Sequence, residues 1–483
     1  MQTVAQMASS IQKISNHAHL RPAAHAWFRR LITGITASGS VVLSEVLRVQ
    51  VDDRKQLHAA EQGACRALRR DAQFDRIPDA YLAWVAPVAK PMRFRTLDGS
   101  DISKPASRKL EHLDVIRDGS SKPRDRVVVG PRGVQSLGPS RSVPLPEQPS
   151  DTRVSRCSPC VPTRRAVTRK PGRPRGEPRS AARREKASKR MRYPSAPALK
   201  KLGYWTIQIE TGDGQGNHLP LFQDIFSTQD PAYQALGPQA WTETYQRAVE
   251  RVLRHLGPSG VWLADRGFDD VGWMNWMHSR VEQYGIRLKA NRFVRPGTKD
   301  AKSMQVRSFA ASLRTTHRAS VRYVDKSTHR EMEREVTFGW APIWVDGVDH
   351  AQYVIVVHTG RKNPLLIVTD RRPENEKQAA EIVLAYFERW GNEEMTRVQK
   401  QVMALERVRV RSFASIRRVF WLAMLALGIQ AYLVATRPKL RQAILARAKD
   451  FIRTVRFVLY RVWRVVQADV RCAIERSLTV LLF

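Results

Sequence analysis

The stretch GVWLADRGF, residues 260–268, decides how this chain folds. Val261 to Ala264 are an apolar run without alternation, which reads as a buried strand, and the run ends on an acid, Asp265. Before it, from about Pro238 to Leu256, Trp241, Tyr245, Ala248, Val252 and Leu256 recur at helical spacing. Gly257 is a sensible C-terminal stop for that helix. After it comes a second helix, about 271–284, and then a strand, IRLKANRF (286–293). The outward residues of that strand, Arg287 and Lys289, form a basic edge.

Working upstream, YWTIQIE (204–210) alternates, with Trp205, Ile207 and Ile209 on one face, and LPLFQDIF (219–226) follows closely. The two read as adjacent antiparallel strands. A third strand, MRFRTLD (92–98), lies earlier and is closed by Gly99. Three strands, a helix, a strand ending in Asp, a helix and another strand is the order of an α/β, RNase H-like mixed-sheet core. Such a core holds acidic groups at strand ends, where two divalent metals can bind.

Around this core the chain divides by pattern. Residues 1–90 read as an N-terminal helical domain with basic faces, either a small DNA-contacting domain or a generic helical cap. The core occupies 91–118 and 203–300. Residues 119–202 are rich in Arg, Pro, Ser and Gly with little apolar periodicity, a composition that reads as a long disordered basic insert. Four strand patterns, SVRYV, EVTFGWAPIWV, QYVIVVH and LLIVTD, make 301–372 a β-rich insertion. Residues 373–435 supply core helices and 436–483 a basic helical tail. Within the former, the apolar run Val419 to Ala435 contains Gln430 and is marginal in length for a membrane span, so it reads as a buried core helix.

Composition narrows the function. The chain carries 82 Lys and Arg against 45 Asp and Glu, a formal net charge of +37, which makes polyanions, and nucleic acid first among them, the expected partners. Four cysteines exclude a disulfide scaffold and fit a reducing cytosol, and the N-terminus shows no signal-peptide pattern. Cys157 and Cys160 have C-x-x-C spacing, but a structural zinc needs four ligands and Cys65 and Cys472 are remote. The run RREKASKR (183–190) reads as a solvated charge cluster.

A second stretch, AYFERWGNEEMTRVQK (385–400), carries the chemistry. On an α-helix Tyr386, Arg389, Glu393 and Lys400 fall at about 0°, −60°, −20° and −40°, one narrow stripe. A ring, a carboxylate and two cations on one face make poor core packing and a good phosphate-facing surface. Phosphoryl transfer on DNA uses two cations about 3.5–4 Å apart, and magnesium prefers hard oxygen ligands. Three acids from separate elements suffice to hold them: Asp98, Asp265 and Glu393. Asp101, three residues beyond Asp98, is the alternative first ligand.

These residues resemble the DDE-type cut-and-paste insertion-sequence transposases with a YREK signature. The spacing of Tyr386, Arg389, Glu393 and Lys400 matches that signature, LDGSDISK (97–104) resembles the group's first acidic motif, ADRGF (264–268) its second and RWGNEE (389–394) its third. The resemblance covers about 92–118 and 203–435. It implies that Asp98, Asp265 and Glu393 ligate two Mg2+ or Mn2+ ions, and that Tyr386, Arg389 and Lys400 contact phosphates near the transposon end. Arg397, Arg287 and Lys289 would continue the DNA path. It further implies an inverted-repeat DNA substrate, a homodimer holding two ends, no membrane, action at the nucleoid in a bacterial cytoplasm, and a flipped base stacked on an aromatic such as Trp340 or Trp344. The 119–202 insert departs from the pattern. Its texture resembles translated out-of-frame, GC-rich DNA, as an insertion or a pair of compensating frameshifts would leave, and both an active and an impaired enzyme stay open; a non-enzymatic DNA-binding remnant and a related metal nuclease that cuts without joining are the alternatives.

Overall fold

Twelve strands join edge to edge in the computed structural model, which describes residues 2–51, 53–104, 107, 109–117, 200–214, 218–324, 331–451 and 458–482. Five helices come first: α1 (Gln2–His17), α2 (Pro22–Ser38), α3 (Leu43–Arg48), α4 (Arg54–Arg70) and α5 (Ile77–Ala89). They lead into β1 (Phe94–Ser103), β2 (Asp114–Arg117), β3 (Lys200–Gly212) and β4 (His218–Phe226). Helix α6 (Ala240–Leu256), β5 (Val261–Ala264), α7 (Val271–Arg280) and β6 (Gln283–Arg287) follow. Across this half the order is β4-β3-β1-β5-β6, antiparallel from β4 to β1 and parallel from β1 to β6. Parallel neighbours need a crossover, and α7 supplies the one between β5 and β6.

The remaining strands extend the same sheet. They are β7 (Phe293–Pro296), β8 (Met304–Gln305), β9 (His317–Val324), β10 (Glu331–Val345), β11 (Gln352–His358) and β12 (Leu365–Thr369). Beyond β6 the order is β12-β11-β10-β7-β8, with β9 also on β10. The β-rich stretch thus begins at β7, ahead of residue 301, and β6 is an interior strand flanked by β5 and β12. Arg287 and Lys289 therefore do not form a sheet edge.

Two further boundaries move. The pattern ends the first strand at Gly99, yet β1 runs on to Ser103, because β3 keeps pairing it as far as Ser103↔Gly203 after β5 has stopped at Leu97↔Ala264. Lys200 to Leu202, assigned by composition to the insert, belong to β3 and pair with β2 through Arg117↔Lys200. The rest of the insert, including Cys157, Cys160 and the basic run at 183–190, lies outside the described residues.

Each face of the sheet has its own cover. On one, Leu97, Ile207 and Ile209 join Tyr245, Ala248 and Val252 of α6 in the main apolar core. On the other, Phe94, Leu263, Ile355 and Ile367 meet Ile382, Val383 and Tyr386 of α8 (Glu376–Glu388). Asn375 caps α8, its side chain accepting the Gln378 N–H at 3.0 Å. The pattern reads one helix through Lys400. Instead α8 ends at Glu388, α9 spans Trp390–Arg397, and Val398–Val402 form a π turn.

Helix α10 (Phe413–Thr436) is the apolar helix that composition alone makes long enough to cross a membrane, and its length is buried inside the protein. It packs on β4 and on α1, α2, α4 and α5, as well as on α11 (Pro438–Phe451) and α12 (Val458–Leu482). Residues 1–90 and the tail beyond 436 therefore share one apolar core around α10, with Met7, Ile14, Phe28 and Leu31 in the same cluster as Trp463, Val466 and Val470. Arg418 fastens that arrangement from within α10, donating to Asp75 Oδ1 and Oδ2 at 3.0 and 2.8 Å and to the Leu68 carbonyl at 2.8 Å.

Gly428 lets α10 approach closely. A Cβ there would collide with the Tyr81 hydroxyl, which is fully buried and donates to the Pro220 carbonyl of β4 at 2.6 Å. Gly428→Ala improves helix propensity by up to about 1 kcal/mol. Forcing Tyr81 aside costs more, by overpacking and by orphaning a buried carbonyl, so a net loss of about 2 kcal/mol is expected in urea unfolding. A variant as stable as the parent would show that Tyr81 has room to move.

Candidate active site

Register brings the first two acids together. Leu97 and Ala264 are the last parallel partners of β1 and β5, so Asp98 and Asp265 stand side by side where that parallel pairing ends, at the C-terminal end of β5. In open sheets with parallel strands, that end is where crevices for ligands form. Ala264 also pairs with Ile286 of β6, which brings Arg287 to the other flank of Asp265.

Each carboxylate is held by its own backbone. Asp98 Oδ1 accepts the Gly99 N–H at 3.0 Å, and Asp265 Oδ1 accepts the Gly267 N–H at 2.7 Å, capping a short 3-10 turn. A Cβ at Gly267 would stand 2.9 Å from Asp265 Oδ1 and would push that carboxylate oxygen aside. Gly99 is bare for a different reason: a Cβ there would meet the Tyr245 hydroxyl, which α6 brings against β1 from the other face.

The third acid, Glu393, is half-buried in the first turn of α9. Its electrostatic reach extends to Asp98, whose pKa is pushed up to about 6, chiefly by burial and further by Asp265 and Glu393, with Arg389 pulling the other way. Asp101 pairs with Trp205 and stands three residues along β1, so alternation turns it to the opposite face from Asp98.

Arg389 occupies the middle of this group. Its Nη1 lies 3.3 Å from Asp98 Oδ2, and its side chain is only 14% exposed. Burial works against its charge, but Asp98, Tyr386, Asp265 and Glu393 together hold its pKa above the ordinary value. The guanidinium also lies 5.7 Å from the centre of the Tyr386 ring. Tyr386 itself is buried in the apolar cluster beneath α8. It underpins Arg389 and does not face solvent, unlike the stripe read from the sequence.

Among the described residues no three His, Cys, Asp or Glu side chains are gathered closely enough to hold a metal ion. The expected ligand set is therefore not drawn together, and the Arg389 guanidinium lies against one member of it, Asp98. The donor set does suit a hard divalent cation: oxygen ligands only, and a half-buried carboxylate whose ionisation is opposed by two others.

The other expected contacts are dispersed. Arg287 is exposed at the end of β6. Lys289 is engaged by Asp269, its N–H reaching Oδ2 at 2.7 Å and its Nζ the carbonyl at 3.2 Å. Arg397 sits half-buried in the last turn of α9, and Lys400 on the π turn has its Nζ 3.8 Å from Glu406 Oε1. Trp340 lies against His317 at 4.9 Å, while Lys299 stands 5.8 Å over the Trp344 ring. Tyr245 is the residue near the site that sequence reading assigned only to core. Its pKa is raised, first by burial and then by Asp98 and Asp265. No local signal marks it, because its neighbours come from β1 and β5.

Residues 217–429 match the family described as Transposase DDE domain. The match runs from β4 to α10, taking in Asp265, the β-rich stretch and Glu393, and starts beyond Asp98. No curated protein matches the chain.

Proposed function

We propose that this protein is a DDE-type, cut-and-paste transposase of the YREK group, acting through an RNase H-like core formed by β4-β3-β1-β5-β6. Asp98, Asp265 and Glu393 are its metal-holding residues. The single observation that carries the reading is the Leu97↔Ala264 register, which puts Asp98 beside Asp265; the electrostatic influence of Glu393 on Asp98 supports it. The match over 217–429 supports the same family and DNA as the substrate.

Two Mg2+ or Mn2+ ions bound there supply activation of an attacking oxygen and stabilisation of a leaving one. The chain's own residues do the rest. Gly99 and Gly267 N–H groups hold one oxygen of each aspartate, and the second oxygen of Asp98 meets Arg389. Arg389 neutralises the carboxylates until a DNA phosphate draws it outward, and Arg287, Arg397 and Lys400 line the path of the strand. Hydrolysis exposes a 3′-hydroxyl, which attacks the opposite strand or a target phosphate. The working form is a homodimer holding two ends at the nucleoid, in the bacterial cytoplasm.

The basic insert does not prevent this fold. Arg117 and Lys200 are sheet partners, so the segment leaves and rejoins the protein at one point, and closure entropy grows only logarithmically with loop length. Whether it lowers activity is tested directly by incubating the protein with Mg2+ and matched inverted-repeat ends. Joined products are expected, with DNA affinity falling steeply with salt, as counterion release requires for a protein of net charge +37. Cleavage without joining would replace the reading with a nuclease, and a gel shift without cutting would replace it with a binding remnant.

A further inference from the structure

We propose that Gln208, Thr396 and Gln399 form a buried lock that positions Glu393 against Asp98. The inference rests on the reading of Asp98, Asp265 and Glu393 as the metal-holding set, and it begins from a change in the floor beneath one helix. Helix α8 rests on Leu263, Ile355 and Ile367. Where the chain passes into α9 and the π turn, the partners offered by the sheet become polar: Gln208 and Gln223 are both buried.

Asp98 and Gln208 are register partners across β1 and β3, so their side chains leave the same face of the sheet. Gln208 Oε1 accepts the Thr396 hydroxyl at 2.6 Å, and Gln208 Nε2 donates to Gln399 Oε1 at 3.3 Å. Gln399, fully buried, then donates through Nε2 to Gln223 Oε1 at 2.6 Å. Gln223 is the register partner of Gln208 on β4, so the network closes across two neighbouring strands.

Thr396 lies three residues after Glu393, the spacing of neighbours on a helix surface. Holding Thr396 sets the roll of α9, and holding Gln399 as well sets its advance along the sheet. The π turn at Val398–Val402 fits this role, since such turns are frequent at functional sites. Apolar contacts alone would let the helix slide. Hydrogen bonds in a dry interior are directional and admit one register. The lock therefore ties the helix of the third acid to the strand neighbouring the first.

Gln208 and Gln399 are positioning residues, and the test separates positioning from plain stability. Mn2+ dependence of end cleavage, DNA gel shifts and thermal melts are measured for Gln399→Leu, Thr396→Val and the conservative Thr396→Ser. The expected result for the first two is a Mn2+ requirement raised at least tenfold with DNA affinity within twofold of the parent, and Thr396→Ser close to the parent. A folded Thr396→Val with the parent's Mn2+ requirement would overturn the lock. Hydrogen–deuterium exchange over 392–400 in DNA-free protein gives a readout that does not depend on catalysis. Protection lost in Gln399→Leu and kept in Thr396→Ser supports the lock even if the parent neither cleaves nor binds Mn2+, a result that would count against the metal reading alone. Unchanged exchange in Gln399→Leu would refute it in either case.

Discussion

Glu393→Gln abolishes strand cleavage, by about a thousandfold or more, and leaves DNA affinity within about twofold of the parent; a thousandfold corresponds to about 4 kcal/mol of lost transition-state stabilisation. The substitution keeps the shape and length of the side chain while removing its charge. The bonds that seat α9, from Thr396 and Gln399 to β3 and β4, do not involve residue 393 and remain. Affinity for DNA comes from the cationic surface, which also remains. Glu381→Gln is the matched control: this acid lies on α8, pairs with Arg93 at 3.0 Å in the open, and should leave cleavage unchanged. Both variants are assayed on end-containing DNA in Mg2+, with gel shifts alongside. A Glu393→Gln protein that cuts within tenfold of the parent removes Glu393 from the chemistry.

The second large effect concerns Arg389. In the DNA-free protein Arg389→Met is expected to raise Mn2+ affinity at least tenfold, while end cleavage falls because the phosphate contact is lost. The guanidinium stands 3.3 Å from Asp98 and feels Asp265 and Glu393 as well, so it competes for the charges a metal would use. At an effective dielectric of about 20, one charge pair at 4 Å is worth about 4 kcal/mol, so a tenfold change, about 1.4 kcal/mol, is a conservative expectation. A linked signature accompanies it. Without metal, the variant leaves Asp98 among like charges and melts lower than the parent. Added Mn2+ should then raise its melting temperature by more than it raises the parent's, since a ligand stabilises the folded state according to its affinity. Calorimetric Mn2+ titration and thermal melts read both effects. Equal Mn2+ affinity in parent and variant would mean that the guanidinium does not stand in the way of a cation.

If both results hold, metal assembly and end binding are coupled through one side chain. Arg389 is then held by carboxylates in the absence of DNA and by phosphate in its presence. Such coupling keeps a strongly basic protein from carrying a charged metal centre onto arbitrary sequences, since only a correctly seated end removes the internal cation.

The local shape of this candidate site was legible in the sequence. Val261 to Ala264 are apolar without a break and stop at an acid, and Gly267 two residues on permits the turn that the aspartate caps. All of that sits within one window, where periodicity and turn chemistry act. The same holds for Gly257 ending α6 and for the alternation that puts Ile207 and Ile209 on one face. The stripe through Tyr386, Arg389, Glu393 and Lys400 was legible as a spacing but misleading as a surface. It assumed one straight helix, whereas the helix stops at Glu388 and passes through a π turn before Lys400, and Tyr386 faces the core.

What composition, spacing and local pattern determined is the net charge of +37, the apolar strand that stops at Asp265, and the spacing of Tyr386, Arg389, Glu393 and Lys400. Only tertiary structure decided which acid of the first strand faces the other two, that Arg389 stands among them across 291 residues of chain, and that the helices at the two ends share one core around α10. The reason is physical. Local propensities act between residues a few positions apart, while the register of β1 against β3 and β5, and the seating of α9 on Gln208 and Gln223, are fixed by contacts between segments that no window of sequence contains.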